Sequence, residues 1–320
     1  ETPDLASIAA AVHSRSRLLW ARRPEHRGFL ELRFGDGTLP SRTVVDLPHR
    51  GDAATEQWNA LREIRDEFAS ITPVPVLERL DRCGSIGIAG DQRIAEGLAR
   101  GLVLQLAGLH SPAEVVIAAF AGSDHAGGEW EWLKWLPHIE PVGSPLAAWP
   151  LADSPNATTR LMIALESLIA QRSGPQSASV RSHLTADEVP DSSDEAVSKL
   201  PVTPAVIVLV LEREIEETNR SRLIALAEDG PDLGIHVIWV ADDIARVPAA
   251  CRSFVEATSD SAIGQATSTA ATPTASAQQV GTANFVRFGQ TVALSRIEYV
   301  GITEAAAFAR ALAPVDDTAA

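Results

Sequence analysis

The stretch Cys83-Gly-Ser-Ile-Gly-Ile-Ala-Gly-Asp-Gln-Arg-Ile-Ala-Glu-Gly-Leu-Ala-Arg-Gly-Leu-Val-Leu-Gln-Leu-Ala-Gly108 decides the predicted fold of this 320-residue chain. A short apolar strand is predicted from Ser85 to Ala89, and the chain then breaks at Gly90 and Asp91. Apolar residues next recur at the spacing of a helix: Ile94, Leu98, Leu102 and Leu106. The order of strand, turn and helix is typical of a phosphate-binding loop.

The residues that give such a loop its chemistry are missing. An active loop reads G-x-x-x-x-G-K-[ST], because backbone amides surround the phosphates, lysine neutralises them and the hydroxyl holds Mg²⁺. Counted from Gly90, the second glycine is replaced by Ala95, the lysine by Glu96 and the hydroxyl by Gly97. Two unit charges at 4 Å interact by about 4 kcal/mol at an effective dielectric near 20, so a carboxylate here would repel phosphate.

The candidate nucleotide loop therefore has the shape of a P-loop without evident catalysis. Its residues are Gly90, Asp91, Gln92, Arg93, Ile94, Ala95, Glu96 and Gly97. An ordinary strand and helix of an α/β domain remains the alternative for this stretch. Arg93 or Arg100 offers a substitute cation, although neither stands at the lysine position.

A second candidate position follows the apolar run from Pro204 to Leu211. In P-loop ATPases a central strand of this kind ends in an acid that orders Mg²⁺, with a neighbouring acid that polarises water. Glu212 has the first position, as a residue similar to the Walker B acid, and Arg213 stands where the second acid is often found. We identify no catalytic residue from these positions.

The composition excludes several classes of function. A formal charge of −15 argues against a protein that binds the phosphate backbone, so we expect no nucleic acid partner. Cys83 and Cys251 lie in apolar surroundings outside any metal-ligand spacing, and the eight histidines form no paired motif, so we predict no metal. No apolar run approaches the roughly 20 residues of a membrane span. The chain begins at Glu1 without a signal peptide, which suggests a soluble fragment of a longer protein.

The overall pattern predicts an α/β fold with two parts. Residues 1–70 form a small module: a helix from Leu5 to Arg23, a β-hairpin whose return strand is Thr43 to Leu47, and a second helix. Residues 71–320 form a RecA-like (P-loop NTPase-like) domain with a mostly parallel sheet and helices on both faces. Polar, low-complexity stretches predict mobile loops at about 174–199 and 258–282.

A tryptophan-rich run is the most unusual local composition. Trp130, Trp132 and Trp135 lie within six residues of one another, and we interpret them as core or interface packing. A platform for base stacking or peptide binding is the alternative, and the negative charge of the chain counts against the stacking of bases.

Several segments together resemble a known family. They are Leu18-Leu-Trp-Ala-Arg-Arg-Pro24, Phe29-Leu-Glu-Leu-Arg-Phe-Gly-Asp-Gly37, Trp130-Glu-Trp-Leu-Lys-Trp-Leu-Pro-His138, Gly234-Ile-His-Val-Ile-Trp239, Val247-Pro-Ala-Ala-Cys-Arg-Ser-Phe-Val255 and Ala309-Arg-Ala-Leu-Ala-Pro-Val315. In this order they resemble the membrane-proximal cytosolic region of the EccC-type ATPases of type VII secretion systems, which belong to the FtsK/SpoIIIE-like translocases. The likeness spans nearly the whole chain.

This resemblance implies a stalk in residues 1–70 and a degenerate ATPase-like domain in residues 71–320, on the cytoplasmic side of the plasma membrane. The implied partners are other membrane components of the secretion system and the downstream ATPase domains of the same chain, in a hexameric assembly. We therefore expect a non-catalytic coupling domain that needs no cofactor, within a full-length ATPase. The alternatives are a nucleotide-binding domain with weak Mg-ATP binding or hydrolysis and, less favoured, a DNA translocase module.

Overall fold

The computed structural model describes residues 2–43, 45–47, 49–50, 54–122, 128–174, 201–258 and 282–317. In these ranges one mixed sheet contains nine strands in the order β2-β1-β9-β8-β7-β3-β6-β5-β4. The strands are β1 Glu31–Pro40, β2 Ser70–Arg79, β3 Ile86–Gly90, β4 Val115–Phe120, β5 Ala205–Leu211, β6 Ile235–Ala241, β7 Ser253–Thr258, β8 Thr282–Arg287 and β9 Gln290–Ile297. The helices are α1 Leu5–Ser14, α2 Thr55–Glu67, α3 Leu80–Cys83, α4 Gln92–Leu109, α5 Pro155–Ser173, α6 Glu217–Asp229 and α7 Ile302–Leu312.

One half of the sheet is parallel. Strands β7, β3, β6, β5 and β4 pair in parallel, and β4, β5 and β6 are buried along their whole length. Continuous apolar runs are typical of strands covered by helices on both faces, which explains why these strands were recognisable in the sequence. The α/β fold class is confirmed.

The other half of the sheet is antiparallel, so the sheet is mixed. Strands β7, β8, β9, β1 and β2 pair in an antiparallel manner. A two-residue turn joins β8 to β9 through Phe288 and Gly289, both at positive φ (48° and 76°). Such turns match the twist of the flanking strands, and this one adds β9, which the sequence pattern did not predict.

The N-terminal hairpin differs from the prediction. The return strand expected from Thr43 to Leu47 is wrong, because β1 pairs with β2 and residues 45–47 form no strand. Pro73 and Pro75 lack amide protons, yet β2 tolerates them because it is an edge strand. β1 also pairs with β9, so this segment continues the main sheet.

The first helix is also shorter than predicted. It ends at Ser14, because Arg15 adopts a left-handed conformation (φ 51°) and its backbone N–H donates to the carbonyl of Ala11. The chain then turns so that Trp20 enters the core, where its Nε1 donates to the carbonyl of Ala107 at 3.0 Å. Tertiary burial of one tryptophan therefore overrides the helical periodicity.

Helices cover both faces of the sheet. Apolar residues of α1, α4 and α7 belong to one buried cluster, and those of α5 and α6 belong to a second cluster on the opposite face. The central residues of the two predicted mobile loops, 175–199 and 259–281, lie outside the described residues. Among the helices that are described, none is both long and apolar enough to cross a membrane.

Candidate functional site

The connection between β3 and α4 is a single residue. β3 ends at Gly90, α4 begins at Gln92, and Asp91 between them caps the helix by accepting a hydrogen bond from the backbone N of Ile94 at 3.1 Å. The backbone N of Asp91 also donates to the carbonyl of Ala257 at 2.9 Å. The residues from Gln92 to Gly97 are therefore helical, so no loop is left there to surround a phosphate group.

Gly90 is required by this tight connection. Its φ is +110°, and a Cβ at this position would lie 2.0 Å from the carbonyl oxygen of Ala257. A left-handed backbone and a contact this close both exclude larger residues. Gly90, the first residue of the candidate loop, therefore allows β3 to lie close to β7.

Glu96, at the lysine position, is an internal ion-pair partner. It lies in α4 and is 1% exposed; its Oε1 lies 2.5 Å from Arg213 Nη1, and its Oε2 accepts a hydrogen bond from Trp130 Nε1 at 3.1 Å. Arg100 Nη1 lies 3.6 Å from the same Oε2. Burial raises the pKa of Glu96, with a further rise from a hydrogen bond to Glu129, while Arg213 and Trp130 lower it.

Gly97, at the hydroxyl position, is a packing residue. A Cβ here would lie 2.1 Å from the ring of Tyr299, and the carbonyl of Gly97 accepts a hydrogen bond from the backbone N of Val300 at 3.0 Å. Gly101 permits a similar approach, because its Cβ would lie 2.1 Å from the carbonyl oxygen of Glu298. The segment before α7 therefore lies directly against α4.

Glu212, at the position of the Walker B acid, is paired with two arginines. It is 2% exposed, and its Oε1 accepts hydrogen bonds from Arg220 Nε at 3.0 Å and from Arg246 Nη2 at 2.6 Å. Mg²⁺ takes oxygen ligands, whereas here two guanidinium groups neutralise the carboxylate. Across the described ranges, no three His, Cys, Asp or Glu side chains converge as metal ligands.

The space between α4 and the ends of β5 and β6 is almost closed. A cavity of about 10 Å³ remains there, bounded in part by Gln92, Glu96, Arg213 and Asp242. A cavity needs roughly 10–15 Å³ to hold one water molecule, so the protein itself fills the space beside Glu96 and Arg213. The ion pair of Glu96 and Arg213 fills this flank of the helix.

The tryptophan-rich run lies next to the ion pair. Trp130 and Trp132 are 6% and 4% exposed and stack with ring centroids 5.7 Å apart. Trp135 is 44% exposed and lies beneath Lys134 Nζ, at 5.7 Å from the ring centroid. Two of the three tryptophans thus pack in the core, and the third lies at the surface.

Sequence reasoning missed three of these relationships. It identified Glu96 and Arg213 separately but did not pair them, and it did not connect Arg220 or Arg246 with Glu212. One signal could have revealed the first pair: Glu96 stands where a lysine is usual, and Arg213 stands where an acid is usual. No sequence motif marked the arginines, because Arg220 and Arg246 follow Glu212 by 8 and 34 residues and come from separate elements of the fold.

Similar sequences all come from one kind of secretion protein, although no family model matches the chain. The chain is 36% identical over 158 residues (46% of this chain) to the ESX-4 secretion system protein EccC4 of Mycobacterium tuberculosis. It is 30% identical over 214 residues (65%) to EccC3 of the ESX-3 system of that organism, and 27% identical over 310 residues (94%) to an EccC of Thermomonospora curvata. It spans 12%, 16% and 20% of the lengths of these relatives.

Solved structures support the same fold. The cytoplasmic domain of the type VII secretion ATPase EccC from Thermomonospora curvata matches with a TM-score of 0.52 and 16% identity, covering 90% of this chain and 31% of that one. ATPase domains 2 and 3 of the same protein, in complex with a signal sequence peptide, match with a TM-score of 0.51 over 90% of this chain and 48% of that one. At this identity the likeness establishes the P-loop NTPase-like fold alone.

Proposed function

The chain is a homologue of the EccC ATPases of type VII secretion systems, and from this relationship we propose that it is a non-catalytic, ATPase-like coupling domain of a secretion motor. It would link the membrane complex to the ATPase domains of the full-length protein during protein export. Its partners would be other membrane components of the system and those ATPase domains, in a hexameric assembly. A location at the cytoplasmic side of the membrane belongs to the same proposal.

The observation that carries this proposal is the reversed charge at the nucleotide position. In an active P-loop domain a lysine from the helix and an acid after the central strand both contact the Mg-nucleotide. Here Glu96 and Arg213 have the opposite charges and bind each other at 2.5 Å. The ion pair supplies internally the charge neutralisation that phosphate and cation would otherwise provide.

The packing around α4 supports a mechanical role. α1, from the N-terminal part of the chain, and α7, from the C-terminal part, both pack against α4 and against each other. A Cβ on Gly108 would lie 2.4 Å from Ile8, so α1 and α4 are in close contact. Close-packed interiors transmit displacement, because they have low compressibility. Movement at one end of the described chain would therefore reach the other end through α4.

Nucleotide binding remains the second candidate, because the solved relatives are ATPase domains, which use ATP and Mg²⁺. In this chain Glu212 would be the acid that orders the metal, and Arg220 and Arg246 already occupy it. A DNA translocase has less support, since the formal charge is −15. We expect no retardation of DNA even at low salt, where such binding is strongest.

Calorimetric titration with Mg-ATP tests the proposal. We expect no Mg²⁺-dependent binding and no hydrolysis for the chain or for Glu96→Lys, because a lysine there would face Arg213. The double variant Glu96→Lys/Arg213→Glu places the lysine and the acid at their usual positions. It is the control for the effect of the two exchanged charges. Saturable binding that requires Mg²⁺ and is lost in Glu212→Gln would overturn the non-catalytic assignment.

A second experiment tests coupling in the full-length protein. Gly108→Ala overpacks the contact of α1 with α4, whereas Gly174→Ala meets no atom closer than 3.4 Å and is the matched control. We expect Gly108→Ala to reduce secretion while the ATP turnover of the downstream domains persists. Normal secretion in a Gly108→Ala protein whose altered packing is verified would contradict the mechanical role.

A further inference from the structure

A groove runs along the exposed side of α5. Its volume is about 790 Å³, and its lining combines Ala157, Ile163 and Ala164 of α5 with Trp149 from the preceding segment. Trp149 and Ile163 are 44% and 53% exposed. The two alanines lie two helical turns apart, and their small side chains leave room for another helix. Exposed apolar side chains around such a concavity are typical of a surface that another chain covers.

α2 is an amphipathic helix that contributes to neither buried cluster. None of its 13 residues is buried. Four apolar side chains recur at spacings of three or four residues and form one stripe along the helix and its C-terminal end: Trp58, Leu61, Ile64 and Phe68. Leu61, Ile64 and Phe68 are 41%, 47% and 59% exposed. A helix of this length is only marginally stable in water without tertiary packing, so the stripe requires a covering surface.

We propose that the groove on α5 binds α2 of a second copy of this chain. The lengths of the two surfaces agree. Trp58 and Phe68 are ten residues apart, which makes the stripe about 15 Å long at a rise of 1.5 Å per residue. The lining extends over eleven residues of α5, from Asn156 to Ser167, or about 17 Å. A helix that lays its apolar face in a groove is a common mode of recognition, with anchors at this spacing.

The sheet order places the helix and the groove at opposite ends of one copy. α2 connects β1 to the edge strand β2, whereas the segment before α5 lies beside the other edge strand, β4, where the backbone N of Ala119 donates to the carbonyl of Pro150 at 2.8 Å. Adjacent strands lie about 4.8 Å apart, so nine strands separate the two edges by about 38 Å. α2, about 20 Å long, does not reach the groove of its own chain. The contact is therefore head-to-tail between copies, which closes into a ring or extends into a filament.

The charges beside the two surfaces are complementary. By helical spacing, Arg62 borders the stripe of α2 on one side and Glu67 borders it on the other. The lining of the groove also includes one acid and one base, Asp153 and Arg160. Within the described part of the chain these four exposed side chains form no ion pair with one another or with other residues. Docking in one orientation brings Arg62 towards Asp153 and Glu67 towards Arg160, and such complementarity fixes the orientation of a partner.

Analytical ultracentrifugation of the chain from micromolar to millimolar concentration tests the contact. We expect the average mass of the unaltered chain to rise with concentration. Ile64→Glu, in the stripe, and Ile163→Glu, in the groove, should each stay monomeric, because each would bury a charge in the contact. Both positions are exposed, so both variants should fold, which circular dichroism checks. Ile244→Glu, at an exposed position outside both surfaces, is the matched control and should associate like the unaltered chain.

An equimolar mixture of the two variants distinguishes head-to-tail binding from other modes. Ile64→Glu keeps an intact groove and Ile163→Glu keeps an intact α2, so the mixture should form a dimer that does not extend. A mixture that stays monomeric would overturn the proposal. Association of Ile163→Glu alone would indicate that α2 pairs with α2 and would also overturn it.

An unaltered chain that is monomeric at every concentration would overturn the proposal as well, and would assign the groove to a partner other than a copy of this chain. The inference goes beyond the coupling role, which does not require that copies of this part of the chain contact one another. A monomeric chain would therefore leave that role intact.

Discussion

The ion pair between Glu96 and Arg213 makes a quantitative prediction about stability. Replacing Arg213 by methionine removes the guanidinium but keeps most of the apolar side chain. Glu96 would then be left with Trp130 and with Arg100 at 3.6 Å, while remaining 1% exposed. The carboxylate would have lost its closest cation in a place where water cannot replace it.

The size of this effect follows from burial and distance. Unit charges about 4 Å apart interact by about 4 kcal/mol at an effective dielectric of 20, and breaking a buried pair typically costs about 3–5 kcal/mol. The side chain of Arg213 is 23% exposed and also contacts Glu214, which reduces its share. We therefore expect Arg213→Met to lower the free energy of unfolding by about 3 kcal/mol.

A double-mutant cycle isolates the pair. Glu96→Gln should cost less, about 1–2 kcal/mol, because Trp130 retains an oxygen acceptor and Arg213 retains Glu214. If the two residues interact directly, the double variant should be about 2 kcal/mol more stable than the sum of the single effects predicts. Urea unfolding followed by tryptophan fluorescence and circular dichroism measures each value, with a constant m-value as the check for two-state behaviour.

The pair of Arg222 and Glu166 is the matched control. Its two hydrogen bonds measure 2.7 Å each, so its geometry is good, but the side chains are 38% and 49% exposed. Exposed pairs contribute about 0–1 kcal/mol, so the same cycle here should give a coupling below about 1 kcal/mol. Equal coupling energies for the two pairs would refute the argument that burial makes the internal pair strong.

Three further predictions concern other parts of the structure. Burial lowers the pKa of His110 to about 3 and of His138 to about 4, below the usual 6.5, so both histidines stabilise the fold when neutral. This stability is complete above pH 6.5 and is lost as the pH falls: between pH 7 and pH 5 the loss should be about 2 kcal/mol for each histidine. Urea unfolding across this range should show it, and a slope unchanged in folded His138→Gln would contradict it. Gly97→Ala should destabilise the chain by about 1–3 kcal/mol in the same assay, because the new methyl group overlaps a tyrosine ring, while Gly174→Ala should change stability by less. Glu212→Gln should cost about 2 kcal/mol and leave the stability independent of Mg²⁺; stabilisation of the unaltered chain by Mg²⁺ would show that the carboxylate binds metal after all.

The parallel half of the fold was predictable because its signal is local. β5 and β6 are uninterrupted apolar runs, and α4 follows β3 after a Gly-Asp break with a capping aspartate. Burial on both faces requires apolar side chains at every position, so the pattern itself indicates a central strand. The resemblance to EccC proteins rested on similar local segments, and the sequence comparisons confirm it.

The candidate site was only partly predictable. The sequence identified Glu96 in place of lysine and Arg213 in place of an acid, and it placed the chain break at Gly90 and Asp91 with helical spacing from Ile94, while Gly90 to Gly97 were candidates for a nucleotide loop. In the structure the helix begins at Gln92, and Gly90 and Asp91 contact Ala257 of β7. Such a contact joins distant segments and leaves no periodic pattern.

The sequence by itself thus determined the α/β class, the identity of the central strands and the loss of the phosphate-binding lysine, since each depends on residues close together in the chain. The tertiary structure alone decided that β1 pairs with β2, that Glu96 binds Arg213 and that two arginines neutralise Glu212. These pairings form between groups that come together only in the folded chain, and they depend on which groups are buried and how they are charged. Local propensity carries no information about which distant partner a buried charge will find.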